Sequence, residues 1–393
     1  MKITDRVTDI HYAIRDIVVP ARKIEKQGHE VLHLNIGDPD KYDFDTPDFI
    51  KEANIKAIKD GKNYYGDSEG IPEVRDAIAR REKKLKDVII SPDDILTLAG
   101  VSEGIDMTLA SITGEGDEIL LPGPNYPLYD TLVKFYGGKP VEYRCIEEEG
   151  WQPDVADIEE KITDKTKGIV VINPNNPTGA VYPKKTLKKI TEIAVQNDLV
   201  IMADEVYDMI TFDADFYPIE NLNPDANIVS FGCLSKVYLS PGWRSGYMTF
   251  KGPDIHDLKE ACMRQARARL CMNTPAQVAL GAAMDGPTDH IKKTVDILRE
   301  RRDYSAKRIN EIEGLSVSKP EGALYMFPKI ESDKFNDDEK FVLDLLSEKH
   351  VLCVHGSGFS KEYGKDHFRT VFLPELETLE EAFDRIEEFM NGN

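Results

Sequence analysis

Lys236 and Arg244, an amine and a guanidinium eight residues apart, are the two side chains here best placed by type and spacing to do chemistry. They sit in Leu234-Ser235-Lys236-Val237-Tyr238-Leu239-Ser240-Pro241-Gly242-Trp243-Arg244-Ser245-Gly246-Tyr247, where a strand gives way to small polar residues and then a Pro-Gly turn. A lysine amine forms an imine with an aldehyde only when deprotonated, so it must be desolvated or placed near other positive charge. An aldehyde carried on a phosphate ester also needs a cationic clamp, and a planar guanidinium meets phosphate with two parallel bonds. On its own, though, a Ser-Lys pair is most often solvated surface.

Two more stretches suit the same ligand. In Val170-Val171-Ile172-Asn173-Pro174-Asn175-Asn176-Pro177-Thr178-Gly179 a buried strand runs into a turn rich in asparagine and proline. Loops at the carboxyl ends of parallel strands are where α/β proteins bind ligands, so Asn176 can present an amide donor to a ring oxygen. The plainer reading is an ordinary Asn-Pro turn. In Ile201-Met202-Ala203-Asp204-Glu205-Val206-Tyr207 an acid ends an apolar strand. A carboxylate buried there needs a partner, and a protonated ring nitrogen would serve; Tyr207 could then reach a phenolic oxygen. The plainer reading makes Asp204 a helix cap.

The elements that must carry these residues follow from periodicity. Residues 94–98, 118–121, 168–172, 199–203 and 228–231 read as buried strands, and 103–112, 126–136 and 184–196 as helices between them. Such alternation implies a largely parallel sheet covered on both faces. From about residue 288 the pattern changes to long charged helices, 291–313 and 376–390, with short strands at 325–327, 351–354 and 368–372. A helix at 13–27 and a strand at 31–35 precede the first run. The expected division is a large domain over 46–287 and a smaller α+β domain from 1–45 and 288–393.

Composition narrows the partners. The chain has 393 residues and a net charge of −21, which argues against nucleic acid, whose phosphates would be repelled. No apolar run approaches the roughly 20 residues of a bilayer span, and the charged Met1-Lys2-Ile3-Thr4-Asp5-Arg6 start has no leader-like apolar core, so a cytoplasmic protein is expected. The five cysteines form no CxxC pair and have no histidine at ligand spacing; they read as buried free thiols, and no metal is expected. No P-loop or GxGxxG fingerprint occurs.

Taken together, Asn-Pro-Thr-Gly, Asp-x-x-Tyr, Ser-Lys and Gly-Trp-Arg stand in the order and at the spacings of fold-type I, class I aminotransferases dependent on pyridoxal 5′-phosphate. The resemblance runs from Asn35-Ile36-Gly37-Asp38-Pro39 to His367-Phe368-Arg369. It implies an α/β fold with a mostly parallel seven-stranded sheet flanked by helices. By position, Lys236 resembles the Schiff-base lysine and proton shuttle, and Asp204 the partner of the ring nitrogen. Asn176 and Tyr207 resemble the pair on the ring oxygen, and Tyr126 the stacking aromatic. Ser235 and Arg244, with Val101, Ser102 and Glu103 at a helix start, resemble the phosphate site. Tyr65 resembles a residue that reaches the phosphate of the neighbouring subunit, which implies a homodimer with shared sites. Arg369 matches the arginine on the substrate carboxylate, and Gly37 lies where the family's chain passes the ligand without a side chain.

Within the family, Asp9-Ile10-His11-Tyr12-Ala13-Ile14-Arg15-Asp16-Ile17, Gly61-Lys62-Asn63-Tyr64-Tyr65-Gly66, Ser235-Lys236-Val237-Tyr238 and Val354-His355-Gly356-Ser357-Gly358-Phe359 are most similar to microbial alanine aminotransferases. That likeness implies exchange between L-alanine and 2-oxoglutarate by a ping-pong route through pyridoxamine phosphate. Tyr12 would narrow the pocket, and Arg15 could meet a distal carboxylate; both could equally just pack or cap the first helix. No second substrate arginine aligns, although Arg264, Arg267 and Arg269 lie in a nearby helix. An aspartate, aromatic or broad aminotransferase, or a C–S β-lyase on the same fold, is the alternative.

Overall fold

Strand segments with no polar face are stable only when covered on both sides, and all five apolar runs become strands of one eight-stranded sheet. The computed structural model describes residues 4–8 and 13–392. Its main sheet contains β1 (Ile95–Leu98), β2 (Glu118–Gly123), β3 (Lys139–Ile146), β4 (Gln152–Pro153), β5 (Thr166–Ile172), β6 (Val200–Asp204), β7 (Asn227–Cys233) and β8 (Gly246–Lys251). Their order across the sheet is β1-β8-β7-β6-β5-β2-β3-β4. Strands β3, β2, β5, β6 and β7 run parallel, while β8 is antiparallel to both β1 and β7. The sheet is mostly parallel as expected, but it has eight strands, the additional one being the two-residue β4 that turns back on β3.

Side chains alternate between the two faces. Ile169 and Val171 join one buried cluster and Val170 and Ile172 the other, so a single run of β5 feeds both cores. Three strands carry no such run. β3 includes Lys139, Pro140, Glu142 and Arg144 and lies near the sheet edge, where one side can stay polar.

Helices Val101–Ile112, Pro127–Phe135 and Lys184–Gln196 fill three of the crossovers. The first begins two residues earlier than its apolar period suggests. The N-terminal helix expected as one piece is two, Ala13–Asp16 and Val18–Lys26. Pro20 explains the break: it has no N–H for the Asp16 carbonyl, and its ring crowds that carbonyl.

The strand Leu32–His33 pairs in parallel with Val351–Leu352 from far along the chain. After Cys353 the chain re-enters a second, three-stranded sheet as Val354–His355, beside Phe368–Val371 and Tyr325–Met326. The strand read at 351–354 is therefore two strands with different partners. Helices Asp289–Glu311, Asp338–Lys349 and Leu376–Asn391 accompany these strands. Four cysteines are buried and Cys271 is half-buried, all five free. Among the described residues no helix is long and apolar enough to cross a membrane.

Candidate active site

The parallel strands end along one edge of the sheet, and the register places Ile172, Asp204 and Phe231 side by side there. Because β8 is antiparallel to β1 and β7, Leu98, Cys233 and Gly246 meet at the same edge. A cavity of about 470 Å³ opens above it. Its walls include Val101, Ser102, Tyr126, Asn176, Asp204, Tyr207, Ser235, Lys236, Arg244 and Arg369, residues separated by up to 268 positions in sequence. Gly37 and Arg15 line it too.

At one end of the cavity lies an anion cradle. Gly100, with φ +87°, leads into the helix that starts at Val101, whose first turn offers backbone N–H groups and the positive end of a dipole. The left-handed φ favours glycine at position 100, and a Cβ there would stand 2.1 Å from Arg244 Nη2 and push the guanidinium from its place. Ser102, Ser235 and the Arg244 side chain complete the cradle. Glu103 does not join it. Its N–H donates to the Gly100 carbonyl, and its carboxylate turns away to accept from Ala99 N–H at 2.7 Å and from Arg269 at 3.1 Å. The carboxylate thus reaches back past the N-cap Gly100 to the residue before it, so Glu103 ties down the helix start instead of facing the anion.

Deep in the cavity stands an acid. Asp204 Oδ2 accepts from the Tyr129 hydroxyl at 3.1 Å, while Oδ1 is buried without a hydrogen-bond partner. Burial lifts this carboxyl to about 6, against the Tyr129 bond, the Val206 backbone N–H and the Lys236 charge. The turn behind it is clamped by buried ion pairs, Arg81 with Asp208 and Lys86 with Glu205, each at 2.7 Å. Those pairs fix the backbone that carries both Asp204 and Tyr207.

Lys236 Nζ donates to the Gly37 carbonyl at 2.6 Å and lies 6.0 Å from the Tyr207 ring centre. The Tyr207 and Tyr325 hydroxyls are 2.8 Å apart, and burial together with that neighbour raises the Tyr207 phenol far above its ordinary value. Arg369 is 1% exposed, donating to Asn176 Oδ1 at 3.0 Å and to the Asn35 carbonyl at 2.5 Å. Its guanidinium lies between the rings of Tyr325 and Phe359, at 4.5 and 4.8 Å.

Gly37 has a further constraint beyond an unobstructed passage. A Cβ there would come within 2.1 Å of the Tyr325 hydroxyl and 2.7 Å of its Cζ. Overpacking of this kind costs about 1–3 kcal/mol, so Gly37→Ala should lower the thermal unfolding midpoint as well as activity. An unchanged midpoint would contradict the crowding.

Two further candidates are not among the described residues of the cavity wall. Tyr65 is 79% exposed, and Tyr12 lies outside the described residues. Arg267 and Arg269 hold the loop after Tyr65, through Glu69 and the Ser68 carbonyl, and Arg264 is exposed. Among the described residues no cluster of histidine, cysteine and acid groups could hold a metal. Tyr129 and Tyr325 are site residues that the motifs do not reveal. Tyr129 carried one usable signal, its place three residues after Tyr126 on the same helical face.

The family model for aminotransferase class I and II matches residues 29–386. The glutamate-pyruvate aminotransferase of Escherichia coli is 41% identical over 99% of this chain and 98% of its own length. The alanine aminotransferase of Mycobacterium tuberculosis is 39% identical over 98% of this chain and 91% of its own. Among solved structures, an alanine aminotransferase from Pyrococcus furiosus superposes with a TM-score of 0.98 at 54% identity, both chains covered in full.

Proposed function

The chain belongs to the class I and II aminotransferases, and from that premise we propose that it exchanges an amino group between L-alanine and 2-oxoglutarate, giving pyruvate and L-glutamate. Members of this family use pyridoxal 5′-phosphate, whose aldehyde and ring, once bound, supply an electron sink for the pair released at the substrate α-carbon. The observation that carries the reading is Asp204 Oδ1, a buried carboxylate oxygen that lacks a partner. A cationic ring N–H is the partner its burial calls for, so the residues present fit the group.

The roles of the other residues follow from what they can hold. Lys236 Nζ is the covalent anchor and later carries the α-proton, there being no second lysine on the described cavity wall. Tyr207 and the amide N–H groups of Asn176 are donors for the ring oxygen, since the Asn176 carbonyl oxygen is already used by Arg369. Tyr126 gives an aromatic face. The cradle of Val101, Ser102, Ser235 and Arg244 holds the phosphate. Arg369 receives the substrate carboxylate bidentately and so fixes which bond of the α-carbon faces the ring.

Division into domains at 46–287 and at 1–45 with 288–393 belongs to the same proposal, supported by the pairing of Leu32–His33 with Val351–Leu352. So does a homodimer in which Tyr65 reaches the partner's phosphate. Tyr64 and Tyr65, with Ile55 and Ile58 on the helix Asp48–Lys59, leave an apolar surface exposed that a second copy would cover. A cytoplasmic setting fits five unpaired cysteines.

Alanine as the donor is supported by the named relatives and by Arg15 at the cavity mouth, a cation for the distal carboxylate of 2-oxoglutarate. A donor panel on purified holoenzyme should give kcat/KM for alanine at least about tenfold above those for aspartate and for aromatic or branched donors. Preference for one of those over alanine would overturn the assignment. Breakdown of a thioether donor to pyruvate without need for a keto acid would favour a lyase.

A further inference from the structure

Tyr325 lies outside every motif of the sequence, yet it touches three residues of the site. Its hydroxyl is 2.8 Å from that of Tyr207, its ring lies 4.5 Å beneath the Arg369 guanidinium, and position 37 must be glycine to leave it room. It is 3% exposed and borders the cavity. The sheet explains the arrangement. Tyr325 pairs with Val371 across an antiparallel ladder, which puts Arg369, two residues away, on the same face as its diagonal neighbour.

We propose that Tyr325 is a positioning residue with two separable parts: its hydroxyl aims the Tyr207 proton, and its ring holds the Arg369 guanidinium. The proposal rests on the aminotransferase reading. Two buried phenols that share one hydrogen bond have one proton between them and one proton to spare. For Tyr207 to donate outward to a ring oxygen, its own oxygen must accept from Tyr325. Donation into Tyr207 polarises its O–H and makes it the stronger donor. The two rings meet edge to face, with centres 5.8 Å apart and planes at 87°, so neither hydroxyl can swing away without disturbing the packing. On the other side, the Arg369 guanidinium is held at its edge by Asn176 Oδ1 and the Asn35 carbonyl, while the rings of Tyr325 and Phe359, 4.5 and 4.8 Å away, fix the plane it presents to a substrate.

The two parts come apart in Tyr325→Phe and Tyr325→Leu, each assayed as holoenzyme beside the wild type. Tyr325→Phe keeps the ring, so the thermal midpoint and the KM for alanine and glutamate should stay within about twofold in binding terms, while kcat falls about tenfold. The pH midpoint of the bound cofactor's visible absorbance should rise, because a weaker donor leaves the ring oxygen more basic. Tyr325→Leu removes the ring as well and should in addition raise KM for both amino acids about tenfold. A Tyr325→Phe enzyme with wild-type kcat and an unmoved absorbance midpoint overturns the hydroxyl's role. A Tyr325→Leu enzyme with unchanged KM overturns the ring's. A wild type with neither a lysine-linked chromophore nor amino transfer overturns the aminotransferase reading itself, so the two failures are distinct.

Discussion

Lys236→Ala lowers kcat by about 10⁴-fold or more while leaving the protein folded, because one side chain supplies both the anchor and the proton carrier. Its amine sits against the Gly37 carbonyl and near the Tyr207 ring, the position from which it can serve both ends of the reaction. Nothing replaces it, since no other lysine lines the cavity among the described residues. Lys236→Arg should be as inactive, for a guanidinium keeps its proton at any pH the protein tolerates. The check is single-turnover transfer from alanine, with thermal unfolding as the control for fold. Retention of more than about 1% of the wild-type rate would contradict the dual role.

Asp204→Asn should have effects of opposite sign on activity and on the stability of the cofactor-free protein. Removing one member of a buried ion pair costs about 3–5 kcal/mol, which as a barrier is about 10²–10⁴-fold in rate. Without the cofactor the same carboxylate is a burden. Its folded value of about 6 lies above the ordinary 3.8. A raised value means the protonated form stabilises the fold fully below about pH 4, and that stabilisation is lost as pH climbs through 6. The difference is about 3 kcal/mol. Asparagine keeps an oxygen for the Tyr129 hydroxyl but carries no charge. The variant minus wild-type difference in thermal midpoint of the apoprotein should therefore be positive at pH 8 and shrink towards pH 4. Loading with cofactor should reverse it, since the cationic ring nitrogen then answers the wild-type carboxylate. A variant less stable than the wild type at pH 8 in the apo form would show that Asp204 is satisfied without a ligand.

What could be seen in the sequence follows from how local each signal is. Lys236, Asp204 and Asn176 stand at or just beyond the ends of apolar strands, and in a parallel sheet those ends meet at one edge, so three separate motifs already imply one site. Tyr325 and Tyr129 work through partners 118 and 75 residues away, so although the short strand at Tyr325 is legible, what its side chain meets is not. Glu103 was legible as an acid at a helix start whose side chain can point away from an anion; that it does so onto Arg269, from a distant helix, only the folded chain reveals. Strand β3 was hidden by its charges, and the interrupted first helix follows from Pro20 once the i−4 carbonyl is considered. Gly37 was readable as a glycine that something must approach; that the something is Tyr325 only the folded chain reveals.

The most direct test of the anchor is chemical. Reduction of the yellow holoprotein with borohydride, followed by digestion and peptide mapping, should leave the cofactor's mass on the peptide that contains Lys236 and on no other. A label on a different lysine, or none on a protein that still transfers amino groups, would contradict the account.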